Sequence, residues 1–390
     1  MTIVFTGSGT GGHFYPNIAI AEAIREVAAV RHLLEPRLFY IAPMAFDEQA
    51  LLSNGIVFIK SPAGKIRRYM SARNVLDIFV TIAGYFWSLL TLFRVYPDVV
   101  VSKGGYASVP TVLAARTLGI PVIIHESDAR PGRANLLASH FATRIAVSFD
   151  DTAHYFPVKV RSRIARTGIP LRRDIAKLVP DSAREYLGLD SSVPTIFILG
   201  GSSGSQRINE TIISTLPDLV AFANVIHQTG KANIEGVEST ARVVLGKNPN
   251  ASRYHPVAYL SAVAMREAAS AADIIVSRAG ATAIAEISLW KKPSILIPIP
   301  EDVSHDQRTN AYAYAKTGAA VVLEEANMTP HVIASELHRI LSDPALAKSM
   351  GEKGSAFSPS DAAALIAEEV LRIALSHEDV EPQPAAAPQP

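Results

Sequence analysis

Glycines and one titratable side chain are spaced for anion chemistry near the start of this chain, in Thr6-Gly7-Ser8-Gly9-Thr10-Gly11-Gly12-His13. Glycine turns let backbone N–H groups and the positive end of a following helix close on an anion. Phosphate or pyrophosphate is the expected guest. Gly7, Gly9 and Gly12 also fit the Gly-x-Gly-x-x-Gly spacing of dinucleotide sites. That fingerprint needs an acid at the tip of the second strand to hold a ribose, and here Leu38-Phe39-Tyr40-Ile41 runs into Ala42-Pro43-Met44. A nicotinamide or flavin is demoted on that ground, and no cofactor is expected. His13 stands at the phosphate end of the loop, either as a proton acceptor or as a polar cap of its helix.

A second set lies later in the chain. Ile274-Ile275-Val276-Ser277 ends in Arg278-Ala279-Gly280-Ala281-Thr282, whose small residues let a diphosphate approach a helix N-terminus. Glu286, about one and a half turns on among apolar neighbours, can accept two hydrogen bonds from the vicinal hydroxyls of a ribose. Gln307 and Asn310 are three apart, hence on one helical face, and suit sugar hydroxyls. His125-Glu126-Ser127-Asp128 falls at a strand tip, where open α/β sheets place ligands. Neighbouring residues there point to different sides, so hydrogen bonding to a polar substrate is favoured over a metal.

The elements that must carry these groups alternate strand and helix, which implies parallel sheets wound with helices. Strands are expected at Thr2–Phe5, Leu38–Ile41, Ile56–Ile59, Val99–Ser102, Val122–His125 and Ile145–Ser148, with the first helix running from Pro16. The pattern restarts at Pro194–Gly201, followed by Ser202-Ser203-Gly204-Ser205 and a helix from Arg207. Val225–Gly230, Asp273–Ser277 and Ser294–Pro298 continue it. Lys103-Gly104-Gly105-Tyr106 is another glycine turn after a buried strand. Two Rossmann-like halves facing a cleft are the expected architecture.

Composition bounds the rest. A net charge of +1 argues against nucleic acid, and the absence of cysteine removes disulfides, zinc thiolates and thiol nucleophiles. The first strand opens at Thr2, so no signal peptide is expected and a cytoplasmic location is. Lys60 to Arg73 holds five basic residues and no acid, and Ile78 to Phe93 holds no charge. Sixteen residues are short of a bilayer span. The stretch reads as a buried helix or as a membrane-surface contact, with Tyr85, Phe86, Trp87, Leu89, Leu90 and Phe93 beside a basic cluster that favours anionic lipid.

Taken in order, Gly9-Thr10-Gly11-Gly12-His13, Gly104-Gly105-Tyr106, Gly200-Gly201-Ser202, His227-Gln228-Thr229-Gly230, Arg278-Ala279-Gly280-Ala281 with Glu286, and Gln307 with Asn310-Ala311 resemble the MurG family of bacterial peptidoglycan enzymes. The resemblance runs to about residue 340. It implies a GT-B fold and transfer of N-acetylglucosamine from UDP-N-acetylglucosamine to lipid I, the undecaprenyl-linked muramyl-peptide, giving lipid II. By motif position it implies His13 as general base. It implies donor contacts from Thr10, Gly11, Gly12, Asp128, Arg172, Ser202, Arg278, Ala281, Thr282, Glu286 and Gln307, and acceptor contacts from Tyr106, Glu126 and Asn135. Three departures stand out. The usual Gly-Gly-Ser-Gln-Gly-Ala reads Gly201-Ser202-Ser203-Gly204-Ser205, the usual His-Glu-Gln-Asn reads His125-Glu126-Ser127-Asp128, and the usual His-Gln reads His305-Asp306-Gln307.

Two helix N-termini and arginines can hold a developing diphosphate charge without a divalent metal, and the chain has no Asp-x-Asp motif. Inversion by direct displacement, without metal, is the expected course. A UDP-N-acetylglucosamine 2-epimerase or another GT-B transferase, and a non-catalytic nucleotide-sugar or lipid-binding protein, are the rivals. The expected division is 1–168 for the acceptor and membrane, 169–357 for the UDP-sugar, a helix at 358–376 packing back on the first domain, and a disordered tail at 377–390. The expected home is the inner face of the cell membrane, peripherally bound.

Overall fold

Short β-branched runs become buried strands because both faces of a parallel sheet are covered by helices, so every second residue still needs an apolar neighbour. The computed structural model describes residues 1–7, 11–65, 72–201, 204–301, 305–357, 359 and 361–376. The first sheet holds β1 (Thr2–Thr6), β2 (Arg37–Ala42), β3 (Ile56–Lys60), β4 (Val99–Ser102), β5 (Val122–Glu126), β6 (Arg144–Val147) and β7 (Ile164–Arg166), in the order β3-β2-β1-β4-β5-β6-β7. The second holds β8 (Thr195–Leu199), β9 (Asn224–Gln228), β10 (Tyr254–Val257), β11 (Ile274–Ser277), β12 (Ser294–Leu296) and β13 (Ala320–Val322), in the order β10-β9-β8-β11-β12-β13. Both follow the doubly wound pattern, with the order reversing between β1 and β4 and between β8 and β11. Two Rossmann-like parallel α/β domains, as the alternation implies, are what the chain forms.

Among the described residues, packing separates two compact units, one within 1–125, 133–146 and 363–376 and one within 126–132 and 147–362. In the first, Ile3 and Phe5 share a core with Phe14, Ile18 and Ile24 of the helix Gly11–Val30. Ile366, Ala367, Val370, Leu371 and Ala374 of the helix Ala362–Leu375 complete that core, and Arg144 donates to Glu369 at 2.6 Å beside it. In the second, Ile196 and Ile198 of β8 face one apolar layer while Phe197 and Leu199 face another. That alternation is the period-two signature of a sheet buried on both sides.

The structure moves one helix start. Pro16 is the sixth residue of the helix Gly11–Val30, not a first-turn residue. The helix therefore gives up one internal hydrogen bond at Pro16 and places Gly11, Gly12 and His13 in its first turn. Strands β7, β10 and β13 are further additions. Each is three or four residues long, and β10 carries Pro256, which an edge strand tolerates.

The helix Ala72–Val95 is apolar but not a core helix. Ser88 and Leu92 are buried, while Phe79 is 65% exposed, Phe86 61%, Trp87 53% and Phe93 68%. The segment before it lies close along this helix. A Cβ on Gly64 would sit on the Asp77 carbonyl, and one on Gly84 on the Pro62 carbonyl. Lys60 and Lys65, at either end of that segment, are both exposed. Arg67 and Arg68, Thr10, Ser202 and Ser203, and the tail from residue 377 lie outside the described residues.

Candidate functional site

Strand register brings the expected groups of the first unit together. Thr6 is abreast of Ser102, and Ser102 of Ile124, so the chain leaves β1, β4 and β5 side by side. Gly7 is where they meet: a Cβ there would lie 3.3 Å from the Lys103 Cβ, 3.3 Å from the Tyr40 hydroxyl and 3.4 Å from the Asn17 Nδ2. His13 is half-buried in the first helical turn. Burial, then the charge of Lys103, pushes its imidazole down to about 4, and the positive helix end works in the same direction. His13 is therefore neutral at pH 7, the form that can take a proton.

Lys103 is only 2% exposed. Its Nζ meets the Nδ1 of His125, which is itself fully buried. An ammonium only donates, so Nδ1 accepts and the His125 proton resides on Nε2. Gly104 and Gly105 follow with φ of +77° each. At Gly104 a Cβ would come within 2.7 Å of the Asn135 amide, so only glycine closes this turn. Asn135, an expected acceptor contact, is buried and donates from Nδ2 to the His125 carbonyl at 3.1 Å. Tyr106 opens a short helical turn and is half-buried. Lys103 stood in a quoted motif without a role; the signal was a lysine at the carboxyl end of a strand with four buried residues.

The second unit carries the other set. Leu199 and Ser277 are register partners, so the turns after β8 and β11 emerge together. The helix Ala281–Trp290 begins after Gly280 with no side-chain cap, leaving the amides of Ala281 and Thr282 as donors, and a Cβ at Gly280 would meet open space. Gly201 has φ +88° and open space as well. Arg278 is locked beside them. It donates from Nη2 to Ser205 Oγ at 2.6 Å, from Nη1 to the Ile297 carbonyl at 3.2 Å, and pairs with Glu325.

Glu286 is half-buried on the same helix. Its carboxyl is pushed up to about 7 by burial, with Arg172 pulling it down and Asp174 pushing it up. Arg172 lies 3.6 Å from Asp174. Gln307 accepts at Oε1 from the Ala279 and Ile299 amides, both at 3.2 Å, which aims the side chain and leaves its amide nitrogen as a donor.

Three polar residues turn out to build the site rather than line it. Asn310 is fully buried, accepting from the Ala129 amide and donating to Asp128 Oδ1, both at 2.8 Å. Its expected contact with sugar hydroxyls is corrected accordingly. Asp128 spends one carboxylate oxygen on that bond. Glu126 accepts at Oε1 from the Asp128 amide at 3.0 Å and at Oε2 from the Gly132 amide at 2.9 Å, so its carboxylate folds the 126–132 loop. Helical spacing showed which face Asn310 occupied but not that this face was covered.

Residues 3–147 match the glycosyltransferase family 28 N-terminal domain and residues 195–366 the glycosyltransferase family 28 C-terminal domain. A protein of Treponema denticola is 35% identical over 94% of this chain and 96% of its own length. It is named UDP-N-acetylglucosamine--N-acetylmuramyl-(pentapeptide) pyrophosphoryl-undecaprenol N-acetylglucosamine transferase. A Clostridium kluyveri protein of the same name is 35% identical over 87% of this chain and 90% of itself. Among solved structures, MurG of Acinetobacter baumannii covers 95% of this chain and 99% of its own at a TM-score of 0.73 and 24% identity. A UDP complex of MnaA from S. aureus covers 98% and 99% at 0.69 and 15%. These structural likenesses speak to the fold.

Proposed function

Because the chain belongs to glycosyltransferase family 28, we propose that it moves N-acetylglucosamine from UDP-N-acetylglucosamine to the muramyl sugar of lipid I, forming lipid II for peptidoglycan. The observation that carries this reading is the uncapped start of the helix Ala281–Trp290 with Glu286 farther along it. Its amides suit a diphosphate and its carboxylate suits a ribose diol. The relatives named as this transferase align over nearly the whole chain, which supports the same donor and acceptor.

In the proposed reaction the second unit holds the donor through Ala281, Thr282, Glu286, Arg172, Arg278 and the amide nitrogen of Gln307, with Ser202 and Thr10 contributing by motif position. The acceptor hydroxyl gives its proton to a ring nitrogen of His13. Its lone pair forms the bond to the anomeric carbon, and the bond to UDP breaks with its electron pair on the diphosphate. The α-linked sugar becomes β-linked. Helix amides and arginines take up the developing charge, so the step as written uses no metal. Tyr106, Glu126 and Asn135 shape the acceptor side, and the proposed division into 1–168 and 169–357 is drawn by role, whereas packing groups 126–132 and 147–168 with the second unit.

The protein acts as a peripheral membrane enzyme in this reading. Its helix Ala72–Val95 presents Phe79, Phe86, Trp87 and Phe93 to the acyl boundary while Lys60 and Lys65 meet anionic headgroups. The test is incubation with UDP-N-acetylglucosamine and lipid I in vesicles, following lipid II and released UDP. Release of UDP with 2-epimerised sugar and no lipid II would overturn the assignment in favour of the epimerases that share this fold.

A further inference from the structure

We propose that Gly84, Ser88 and Thr111 are positioning residues for the transfer: they lock the apolar helix Ala72–Val95 to the turn that carries Tyr106, and so set the height of the acceptor site above a lipid surface. The proposal rests on the reading of that helix as the membrane face and of Tyr106 as an acceptor contact. Three segments of the first unit meet along the helix. They are the stretch from Ser61 to Gly64, the helix itself, and the helix Val109–Thr117. At Gly84 the three close up: a Cβ there would sit on the Pro62 carbonyl and 3.2 Å from Pro110 Cγ. One turn on, the Ser88 hydroxyl lies 3.0 Å from Ser61 Oγ and 3.3 Å from Thr111 Oγ1. None of these three residues is more than 3% exposed. Ser61 Oγ also reaches the Gly84 carbonyl at 3.5 Å, and the Gly64 amide donates to Thr81 Oγ1 at 3.2 Å. Farther along, the Tyr85 hydroxyl meets Thr117 Oγ1 at 2.9 Å.

The helix needs such a seam because its large apolar side chains face outward. Phe79, Phe86, Trp87 and Phe93 are exposed, and its buried strip runs through Gly84, Ser88 and Leu92. Small residues let backbones approach closely. Buried hydroxyls then fix the alignment, because a shifted helix would leave them without partners. At the other end of the seam is the acceptor turn. Pro110 and Thr111 stand in the first turn of their helix, which follows Tyr106–Ser108 without a break. Ser108 Oγ donates to the Gly105 carbonyl at 2.9 Å. A displacement of the apolar helix therefore passes through Thr111 and Ser108 to Gly105 and Tyr106. The substrate makes that alignment matter. The acceptor hydroxyl is tied through its sugar and diphosphate to a chain anchored in the bilayer, so its height above the surface varies little. A reacting atom misplaced by about 1 Å costs about 100-fold in rate. An acceptor free in solution escapes this constraint, because it settles into the site wherever the site stands.

The test compares wild type with Gly84→Ala, Ser88→Ala, Thr111→Val and Thr111→Ser on two acceptors. One is lipid I in vesicles of phosphatidylglycerol and phosphatidylethanolamine, and the other is a short-chain, water-soluble acceptor diphosphate. Circular dichroism and thermal unfolding check the fold, and co-sedimentation checks vesicle binding. Lipid II formation on vesicles should fall about tenfold or more in Gly84→Ala, Ser88→Ala and Thr111→Val, on the scale of a small misplacement. Turnover of the soluble acceptor should stay within a few-fold of wild type. Vesicle binding should hold, since the exposed face is untouched. Thr111→Ser keeps the hydroxyl and should keep both rates. Equal losses on the two acceptors, or none on either, overturn the proposal, because a seam that serves stability alone cannot tell an anchored substrate from a free one. Should Gly84→Ala fail to fold, Ser88→Ala and Thr111→Val decide by the same ratio. Failure of wild type to bind vesicles overturns the membrane reading instead, and failure to glycosylate either acceptor overturns the transferase reading.

Discussion

Donor affinity should depend steeply on pH through Glu286. The group is an acid whose carboxyl is raised from 4.5 to about 7, by burial first and by Asp174 against the pull of Arg172. Ribose hydroxyls donate, so the donor binds the ionised carboxylate and leaves the protonated form largely unbound. The apparent Kd is then the intrinsic value divided by the ionised fraction. At pH 8 that fraction is close to one. At pH 7 it is about one half, and at pH 6 about one tenth, giving roughly tenfold weaker binding two units below the plateau. The probe should be UDP-N-acetylglucosamine, because its diphosphate is esterified at both ends and has no proton to exchange near neutrality. Calorimetry in two buffers of different ionisation heat should register about one proton released at pH 6 and none at pH 8. Arg172→Met should shift the midpoint upward, since a cation that favours the carboxylate is gone. Glu286→Gln should flatten the profile and weaken plateau binding by about 1.5 to 3 kcal/mol, the worth of hydrogen bonds to a charged group. A Kd constant from pH 6 to pH 8 in wild type would refute the assignment of the ribose to Glu286.

Turnover of His13→Ala should fall about 100- to 10,000-fold with donor Kd unchanged; single-turnover rates within a few-fold of wild type would return His13 to a helix-capping role. Charge reversal of Lys60 and Lys65 should weaken co-sedimentation with anionic vesicles and reduce its salt sensitivity, and Arg67→Glu with Arg68→Glu should add to the loss; binding indifferent to both salt and reversal would argue against the membrane face. Gly104→Ala forces a side chain into φ +77° and 2.7 Å from Asn135, so denaturant unfolding should register a loss of about 1 to 3 kcal/mol, and wild-type stability would mean that this turn relaxes freely.

Strands such as Val99–Ser102 and Thr2–Thr6 were legible because they are short β-branched runs ending in glycine or a charged turn, and a doubly buried parallel strand has few other spellings. The carboxyl-end placement of Gly7 and Arg278 follows from the same reading. What stayed hidden depends on distant partners. Nothing local to Asn310 indicates that its amide will meet Asp128 and Ala129 far away in sequence. Glu126 looks like a free acid until the chain folds back and offers it two amides. Pro16 misled for a local reason, since a proline favours a helix start but does not forbid a helix that began a turn and a half earlier.

The helix Ala362–Leu375 completes the core of a unit whose other residues end at 146. Every residue of the second unit except Ala362, the first of this helix, precedes it in the chain. During synthesis the earlier-made unit is thus the later one to finish. It emerges with Ile3, Phe5 and Ile18 facing a slot that waits more than two hundred residues for its filling. That long wait raises its contact order and leaves an oily flank open to chaperones while the second unit can already close. The order of manufacture and the order of completion run opposite ways in this fold.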